Sequence, residues 1–253
     1  MNNPFIRKLE HGAALTDDDR RLLATVGGRP QTVPARKDLI AEGDRPRNVH
    51  LVMRGYACRY KLLDDGRRQI MALFVPGDLC DLHVQILGEM DHGISTLTEA
   101  QVVEIPPDVI QQLIAQPRIN RALWWASLVD EGTLREWLVS MGQRDAPQQM
   151  AHVFCEIQKR LRAVGLGEAD GFDLPLTQND LADVLGITPV HVNRTLKTLR
   201  AEGLVWMEGR RLVIPDIRAL ERFAGFDPNY LHLNDTARTA VGGIAEATLE
   251  RSG

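Results

Sequence analysis

The sequence predicts an α+β fold in three parts: an N-terminal β-roll (jelly roll), a long central helix and a C-terminal winged helix-turn-helix. Between residues 32 and 105, short β-rich runs alternate with turn signals at a spacing of roughly ten residues, which is typical of a sandwich or jelly roll. From 118 to 143 one helical pattern runs without interruption. From 177 to 204 two short helical patterns meet at a tight corner.

Hinges and turn-rich stretches set the boundaries of these parts. Pro117 precedes the long helical pattern, and Asp145 caps the helix that follows a short hinge. The residues beyond Leu233 are small and polar, which is typical of a mobile terminus. The predicted parts are 1–117, a β-roll sensor domain with a helical lead-in; 118–144, the dimerisation helix; 145–233, the winged helix-turn-helix domain; and 234–253, a mobile tail.

The β-roll is predicted from strand and turn composition. A helical lead-in covers about 3–26, with a cap at Thr16 and acidic residues in the first turn. Turn signals such as Pro76-Gly77-Asp78 then separate runs of β-forming residues. The predicted strands are Asp38 to Ile40, Val49 to Met53, Ala57 to Leu63, Gln69 to Val75 and Val102 to Ile105.

The long helix is apolar on nearly all sides, which predicts burial on more than one face. One side is expected to lie on the β-roll and another on a second copy of the chain. The tryptophans of this helix are expected to serve packing and dimer contact rather than a ligand cage. The residues predicted to make the dimer contact are Leu123, Trp124, Ala126, Val129 and Trp137.

The stretch between 177 and 204 carries the start and stop signals of two helices. Thr177 and Asp180 form a capping-box pattern, and Gly186 ends the first helix in the left-handed region that glycine tolerates best. Thr188 is the next N-cap and Pro189 takes the first helical position. Two helices at this spacing predict a helix-turn-helix, although any two short amphipathic helices produce a similar pattern.

The second of these helices has an apolar side and a polar side that suits DNA. Between residues 188 and 211 five basic residues stand against two acidic ones, a local net charge of +3 in a chain of net charge −4. Arg194 is the predicted direct base contact, since bidentate Arg to guanine is the commonest specific pairing. The full set of predicted DNA contacts is Thr177, Gln178, Thr188, Pro189, Val190, His191, Asn193, Arg194, Lys197, and the wing-tip residues Arg210 and Arg211.

Composition limits the classes of protein that remain. The 253 residues include no apolar run near the roughly 18 that a membrane span needs, and the N-terminus lacks the apolar core of a secretory signal. Three well-separated cysteines favour a reducing cytoplasm. No Gly-rich phosphate loop, nucleophile elbow or HExxH motif is present, so we expect no enzyme activity. An enzyme or an enzyme's regulatory subunit built on the same β-roll is the rival class, and a pure dimerisation module is a third possibility that would leave the polar surface of the two helices unexplained.

The order of these parts resembles the Crp/Fnr family of bacterial transcription regulators over roughly residues 15 to 230. The most specific motifs are the stretch Leu39-Ile40-Ala41-Glu42-Gly43-Asp44, Pro76-Gly77-Asp78 and the helix-turn-helix with TPVHVNRTLKTLR. The resemblance implies a homodimer on a near-palindromic operator, a signal received at the β-roll, and contact with RNA polymerase. Many members have Glu where Val190 stands, so the family's usual half-site is not expected here.

The resemblance also locates an effector pocket whose residues depart from the family pattern. Members that bind cyclic AMP use Gly-Glu and Arg-Ser or Arg-Thr pairs where this chain has Cys80-Asp81-Leu82 and His92-Gly93. Cyclic AMP is therefore not expected, and neither is an iron–sulfur cluster, because no cysteine cluster lies near the N-terminus. A regulator with rearranged cyclic-nucleotide contacts and a haem- or redox-sensing regulator remain alternatives, and no metal ligand set is predicted. The predicted pocket residues are Cys80, Asp81, Leu82, His83 and His92.

Overall fold

The computed structural model describes residues 3–82 and 84–233, and His83 and the predicted tail at 234–253 lie outside them. The chain begins with two short helices, α1 (Pro4–Leu9) and α2 (Asp17–Val26). Thr16 and Asp19 form a capping box at the start of α2, so the predicted cap is confirmed. Among the described residues, no helix is long and apolar enough to cross a bilayer.

Two antiparallel sheets form the β-roll. Their strands are β1 (Gln31–Val33), β2 (Asp38–Ile40), β3 (Val49–Arg54), β4 (Ala57–Leu62), β5 (Arg68–Phe74), β6 (Gly93–Thr96) and β7 (Ala100–Ile105), with α3 (Val84–Leu87) before β6. One sheet has the order β1-β7-β3 and the other the order β2-β6-β4-β5. The prediction missed β1 and β6 because their apolar content is too low to stand out from the turns around them.

Helices dominate the rest of the chain. After the β-roll come α4 (Pro107–Ile114), α5 (Pro117–Gln143) and α6 (Ala146–Ala163). The C-terminal part contains β8 (Gly171–Asp173), α7 (Gln178–Leu185), α8 (Pro189–Ala201), β9 (Trp206–Glu208), β10 (Arg211–Val213), α9 (Ile217–Ala224) and a 3₁₀ turn (Pro228–Leu231). The wing is a three-stranded sheet of order β8-β10-β9, so β8, which precedes α7 in the chain, joins the hairpin formed by β9 and β10.

The sheet that contains β4 and β5 lies between two hydrophobic cores. Along β5, Ala72 and Phe74 belong to the core shared with α1, α4 and the first turns of α5. Ile70 and Leu73 point the other way, into the core that includes α6 and the helix-turn-helix. Both faces of this strand are therefore buried, and the C-terminal part is packed directly against the β-roll.

The position of α5 corrects the predicted dimer contact. Leu123, Val129 and Trp137 are 2%, 8% and 4% exposed because they pack inside their own chain, and Ala126 is partly buried against the β-roll core. Trp124 alone of the predicted set is well exposed, at 62%. The apolar residues of α5 that do face outward are Trp124, Leu128, Leu134, Leu138, Val139 and Met141.

Candidate nucleic-acid interface

The corner between α7 and α8 is built by local signals that the structure reproduces. Thr177 Oγ1 accepts a hydrogen bond from the backbone N–H of Asp180, and the Asp180 carboxylate accepts one from the N–H of Thr177 at 2.9 Å. Gly186 adopts φ 65°, which ends α7 in the left-handed conformation. Thr188 Oγ1 then accepts from the N–H of His191, so the N-cap of α8 lies two residues after the C-cap of α7.

One side of α8 is anchored and the other is open. Val192, Thr195 and Leu199 are buried in the core beneath the helix. The opposite side, which carries most of the predicted DNA contacts, is exposed, and Val190 in the first turn of α8 is 73% exposed. A shallow concave surface on this side is lined by Gln178, Pro189, Val190, Asn193, Arg194 and Lys197. The structure thus brings the predicted base-contacting residues together on one surface.

The cations of this surface are free to meet a polyanion. The side chains of Arg194, Lys197, Arg200 and Arg210 are exposed and pair with no carboxylate within the described ranges 3–82 and 84–233. Three of them lie on α8 and the fourth lies on the turn of the wing. Free cations on one side of a protruding helix and its wing form the electrostatic pattern that a phosphate backbone attracts.

Arg211 and Thr177 differ from their predicted roles. Arg211 starts β10, and its Nη2 lies 2.7 Å from both a carboxylate oxygen of Glu168 and one of Asp170. This guanidinium is neutralised by its neighbours and does not sit at the wing tip with Arg210. The hydroxyl of Thr177 donates to Asp180 and lies 3.3 Å from Nη2 of Arg36, so its hydrogen-bonding capacity is used within the protein.

Known family models match both the N-terminal and the C-terminal part of the chain. Residues 148–223 match the model of the Crp-like helix-turn-helix domain, and residues 30–117 match that of the cyclic nucleotide-binding domain. The transcriptional activator protein FnrL of Cereibacter sphaeroides is 27% identical over 226 residues, which cover 87% of this chain and 90% of the relative. The nitrogen fixation regulation protein FixK of Azorhizobium caulinodans is 26% identical over 198 residues, 77% of this chain and 79% of FixK.

The chain is a Crp/Fnr-family transcription regulator. The predicted resemblance is confirmed, and so is the order of β-roll, long helix and helix-turn-helix. Among solved structures of the same fold, FixK2 from Bradyrhizobium japonicum superposes with a TM-score of 0.70 at 23% identity, covering 79% of this chain and 98% of FixK2. A CRP-family transcriptional regulator from Thermus thermophilus gives a TM-score of 0.60 at 20% identity, with 78% of this chain and 97% of that chain covered.

The residues at the family's effector position do not fit a cyclic nucleotide. The Asp81 carboxylate is buried and is held by the backbone N–H and the ring of His50, both at 2.7 Å, so it faces away from the pocket. His92 bonds to its neighbour Asp91 at 2.6 Å. A Cβ at Gly93 would lie 2.5 Å from the ring of Tyr60, so this ring covers the glycine.

A small cavity does lie between the β-roll and α5, and charged side chains close it. Arg59 on β4 donates to Asp130 of α5 at 3.0 Å and to the carbonyl of Cys80 at 3.2 Å, and its guanidinium lies over the ring of Phe74. The space that remains, about 60 Å³, falls well below the roughly 300–1,000 Å³ of ligand pockets. Cys80 and Leu82 line it, whereas Asp81 and His92 do not.

Sequence reasoning missed the Arg59–Asp130 pair. The sequence does contain an indication of this pair, namely a charged residue in the middle of an apolar strand and another in an apolar helix, 71 positions apart. Each has an ordinary explanation as a surface residue. Only the packing of α5 on β4 shows that they neutralise one another inside the predicted pocket.

The thiols and imidazoles offer little support for redox or metal chemistry. Cys58, Cys80 and Cys155 are all buried. Burial raises the pKa of Cys58 to about 11 and raises the pKa of the other two thiols as well, which keeps them in the unreactive protonated form. Across the described part of the chain, no three His, Cys, Asp or Glu side chains lie together as a metal site.

Proposed function

We propose that this regulator binds a near-palindromic DNA site as a homodimer, with α8 of each subunit in the major groove. The observation that carries the proposal is the outward face of α8, on which the exposed Val190 is followed by the exposed cations Arg194, Lys197 and Arg200. A duplex supplies the complement of such a face, because phosphates line both edges of a groove whose floor carries base edges and methyl groups. Operation in the bacterial cytoplasm follows from this target.

Arg194 and Val190 are proposed to read bases. The guanidinium of Arg194 is exposed and has no partner among the described residues, so two of its N–H groups can donate to O6 and N7 of a guanine. Val190 has no hydrogen-bonding group, and its exposed methyls suit contact with a thymine methyl group. His191, Asn193 and Lys197, exposed on the same helix, are proposed to contact bases or phosphates. Thr188, at the N-cap, and Gln178 are proposed to face the backbone.

The homodimer is proposed to form along α5. Trp124, Leu134 and Leu138 are 62%, 47% and 69% exposed in the single chain. Trp124 and Leu138 are two heptads apart and so lie on one side of the helix, with Leu128 between them, whereas the intervening heptad position is the exposed Glu131, which pairs with Arg135 at 2.7 Å. Apolar side chains of this size rarely remain exposed in a row, so a second α5 is the proposed cover.

We propose that the signal is not a cyclic nucleotide, because the Arg59–Asp130 pair closes the pocket and His92-Gly93 stands where the family's phosphate-binding pair is expected. Contact with RNA polymerase is proposed from the kinship with transcriptional activators. Isothermal calorimetry with cyclic AMP and cyclic GMP tests the first statement. Saturable heat from either nucleotide would restore the rival in which the contacts are rearranged.

DNase footprinting tests the proposed function on a sequence recovered from DNA that co-purifies with the protein. The wild type should protect two half-sites, and Arg194→Ala should abolish this protection while the dimer stays intact. Arg222→Ala is the matched control, since Arg222 is an exposed arginine on α9, away from the proposed interface. An unchanged footprint for Arg194→Ala would refute its role in base contact.

A further inference from the structure

The helix-turn-helix is attached to the β-roll of its own chain along the whole of α7. Strand β5 runs beside this helix, and the residues at the start of the strand are polar rather than apolar. Gln69 donates from Nε2 to the carbonyl of Val184 in the last turn of α7 at 3.3 Å. Farther along β5, Ile70 and Leu73 are buried in the hydrophobic core that also contains Leu181 of α7.

Two arginines of the β-roll meet two aspartates of α7 at the edge of this contact. Arg68 donates from Nε to Asp183 at 2.7 Å and from Nη2 to Asp180 at 3.1 Å. Arg36, in the turn after β1, donates to both carboxylate oxygens of Asp180 at 3.2 and 3.3 Å. We name this set the interdomain clamp: Arg36, Arg68, Asp180 and Asp183.

The ion pairs of the clamp are partly buried, so they contribute more to holding α7 on the β-roll than exposed pairs would. The side chain of Asp180 is 1% exposed, and those of Arg68 and Asp183 are 22% and 26% exposed. Burial alone would raise the pKa of Asp180, but hydrogen bonds from Thr177 and the Arg36 guanidinium outweigh it and lower that pKa. A partly buried ion pair of this kind is screened less by salt than an exposed one.

The backbone of the β-roll is shaped to present one of the two arginines. Arg36 adopts φ 60°, a left-handed conformation that non-glycine residues rarely take. Its N–H donates to the carbonyl of Thr96 at 2.8 Å, which holds the turn in this form. Such a conformation persists only where the surroundings impose it, and here it directs the side chain across to α7.

The clamp grips α7 and leaves α8 uncovered. Asp180 and Asp183 are the third and sixth residues of α7, so the clamp holds this helix along its length, whereas the exposed face of α8 carries the proposed DNA contacts. Because α7 and α8 are joined by a short corner and share a core, the direction of α8 follows that of α7. If the clamp is broken, α8 therefore moves more freely relative to the β-roll and to α5.

We propose that the interdomain clamp is a positioning device for DNA binding, which fixes the direction of α8 in each subunit before DNA arrives. Two recognition helices that must enter successive major grooves need a fixed separation and direction, and a dimer that already holds them loses less entropy on binding. This inference rests on the proposed function. None of the four residues of the clamp needs to touch DNA.

A double-mutant cycle on the full-length protein tests the proposal. Arg68→Gln and Asp183→Asn should each raise the Kd for operator DNA about tenfold, and the double variant should bind no more weakly than Arg68→Gln alone. Arg67→Gln is the matched control and should leave the Kd within about twofold, because among the described residues the neighbouring Arg67 pairs only with Asp65 in its own turn. Single variants that bind like the wild type, or a double variant whose loss is the product of the two, would overturn it.

Amide hydrogen exchange without DNA separates this inference from the proposed function. The clamp predicts faster exchange in the peptides that cover β5 and α7 for both single variants, and wild-type exchange for Arg67→Gln. If the wild type binds no operator at all, the proposed function fails while the exchange data still report on the clamp. Unchanged exchange in Arg68→Gln would show that the clamp does not hold α7, whatever the protein binds.

Discussion

Arg160 of α6 donates from Nη2 to Oδ2 of Asp78 across 2.6 Å, so a buried ion pair joins the C-terminal part of the chain to the β-roll. The pair is part of a network. Lys8 of α1 also pairs with Asp78, and Glu156 of α6 accepts from Arg160 at 2.9 Å and from the hydroxyl of Tyr230 at 2.9 Å. One guanidinium therefore links the Pro-Gly-Asp turn, α6 and the last described turn of the chain.

We expect Arg160→Met to lower the free energy of unfolding by about 3 kcal/mol or more, because it leaves two buried carboxylates short of a partner. Methionine keeps much of the volume of the aliphatic stem, so the loss reports the charge rather than a cavity. Urea unfolding followed by circular dichroism measures the change. Arg162→Met, an exposed neighbour on the same helix, should stay within about 0.5 kcal/mol of the wild type. Equal stability of the two variants would contradict the prediction.

His152 makes the stability of the protein depend on pH. It is fully buried on α6, with its ring 4.9 Å from that of Phe226 and 6.0 Å from that of Tyr230. Glu136 approaches Nε2 at 3.3 Å but is held at 2.8 Å by Arg144, and neither ring nitrogen has a hydrogen-bond partner among the described residues. Burial and the Arg144 guanidinium lower the pKa of His152 to about 3.

The unfolded chain takes up a proton that the folded protein excludes, so His152 reduces the free energy of unfolding as the pH falls below about 6.5. At pH 5 the loss should reach about 2 kcal/mol, and it should continue to grow until the folded pKa is approached. Urea midpoints between pH 5 and 8 measure it. His152→Phe retains an aromatic ring beside Phe226 and should flatten this part of the profile. An equally steep profile for that variant would assign the dependence to other groups.

The sequence allowed the helix-turn-helix to be predicted closely because its signals are local. Thr177 and Asp180 are three positions apart, and Gly186 needs only its own backbone to end the helix. The wing tip was less predictable. Arg210 and Arg211 are adjacent and chemically identical, yet Arg211 is neutralised by Asp170, 41 positions earlier in the chain. Only the pairing of β8 with β10 brings those charges together.

The long helix shows a second limit of sequence reasoning. Its period reveals that apolar residues occupy several sides, but it does not reveal which side the same chain covers. Trp137 illustrates this, since its indole N–H donates to the buried Glu156 at 2.9 Å and so faces its own α6. The same holds for Arg59 and Asp130, whose pairing depends on how the β-roll and α5 pack.

We expect Leu138→Glu to convert the dimer to monomers, because it places a charge on the exposed side of α5 that also carries Trp124 and Leu128. The substitution removes, from each subunit, a leucine that the proposed interface buries, and it introduces two charges there. The dimer dissociation constant should therefore rise at least about a hundredfold. Sedimentation equilibrium measures it. Leu62→Glu is the matched control, since Leu62 is 56% exposed but lies at the end of β4 rather than on α5. A variant Leu138→Glu that stays dimeric would place the subunit contact elsewhere.

The two neighbouring arginines of the wing should differ in the salt dependence of DNA binding. Arg210 is exposed and pairs with no carboxylate among the described residues, whereas Arg211 is held by Glu168 and Asp170. A phosphate contact contributes about 0.9 to the slope of log Kobs against log salt, so losing one in each subunit should reduce the magnitude of the slope by about 1.8. This slope is measured by fluorescence anisotropy titrations of labelled operator DNA at salt concentrations from about 50 to about 300 mM, which bracket physiological ionic strength. Arg210→Gln should show the full reduction and Arg211→Gln almost none, because only a cation that releases counterions from the DNA enters the slope. Equal reductions in the two variants would mean that Arg211 exchanges its acidic partners for phosphate when DNA binds.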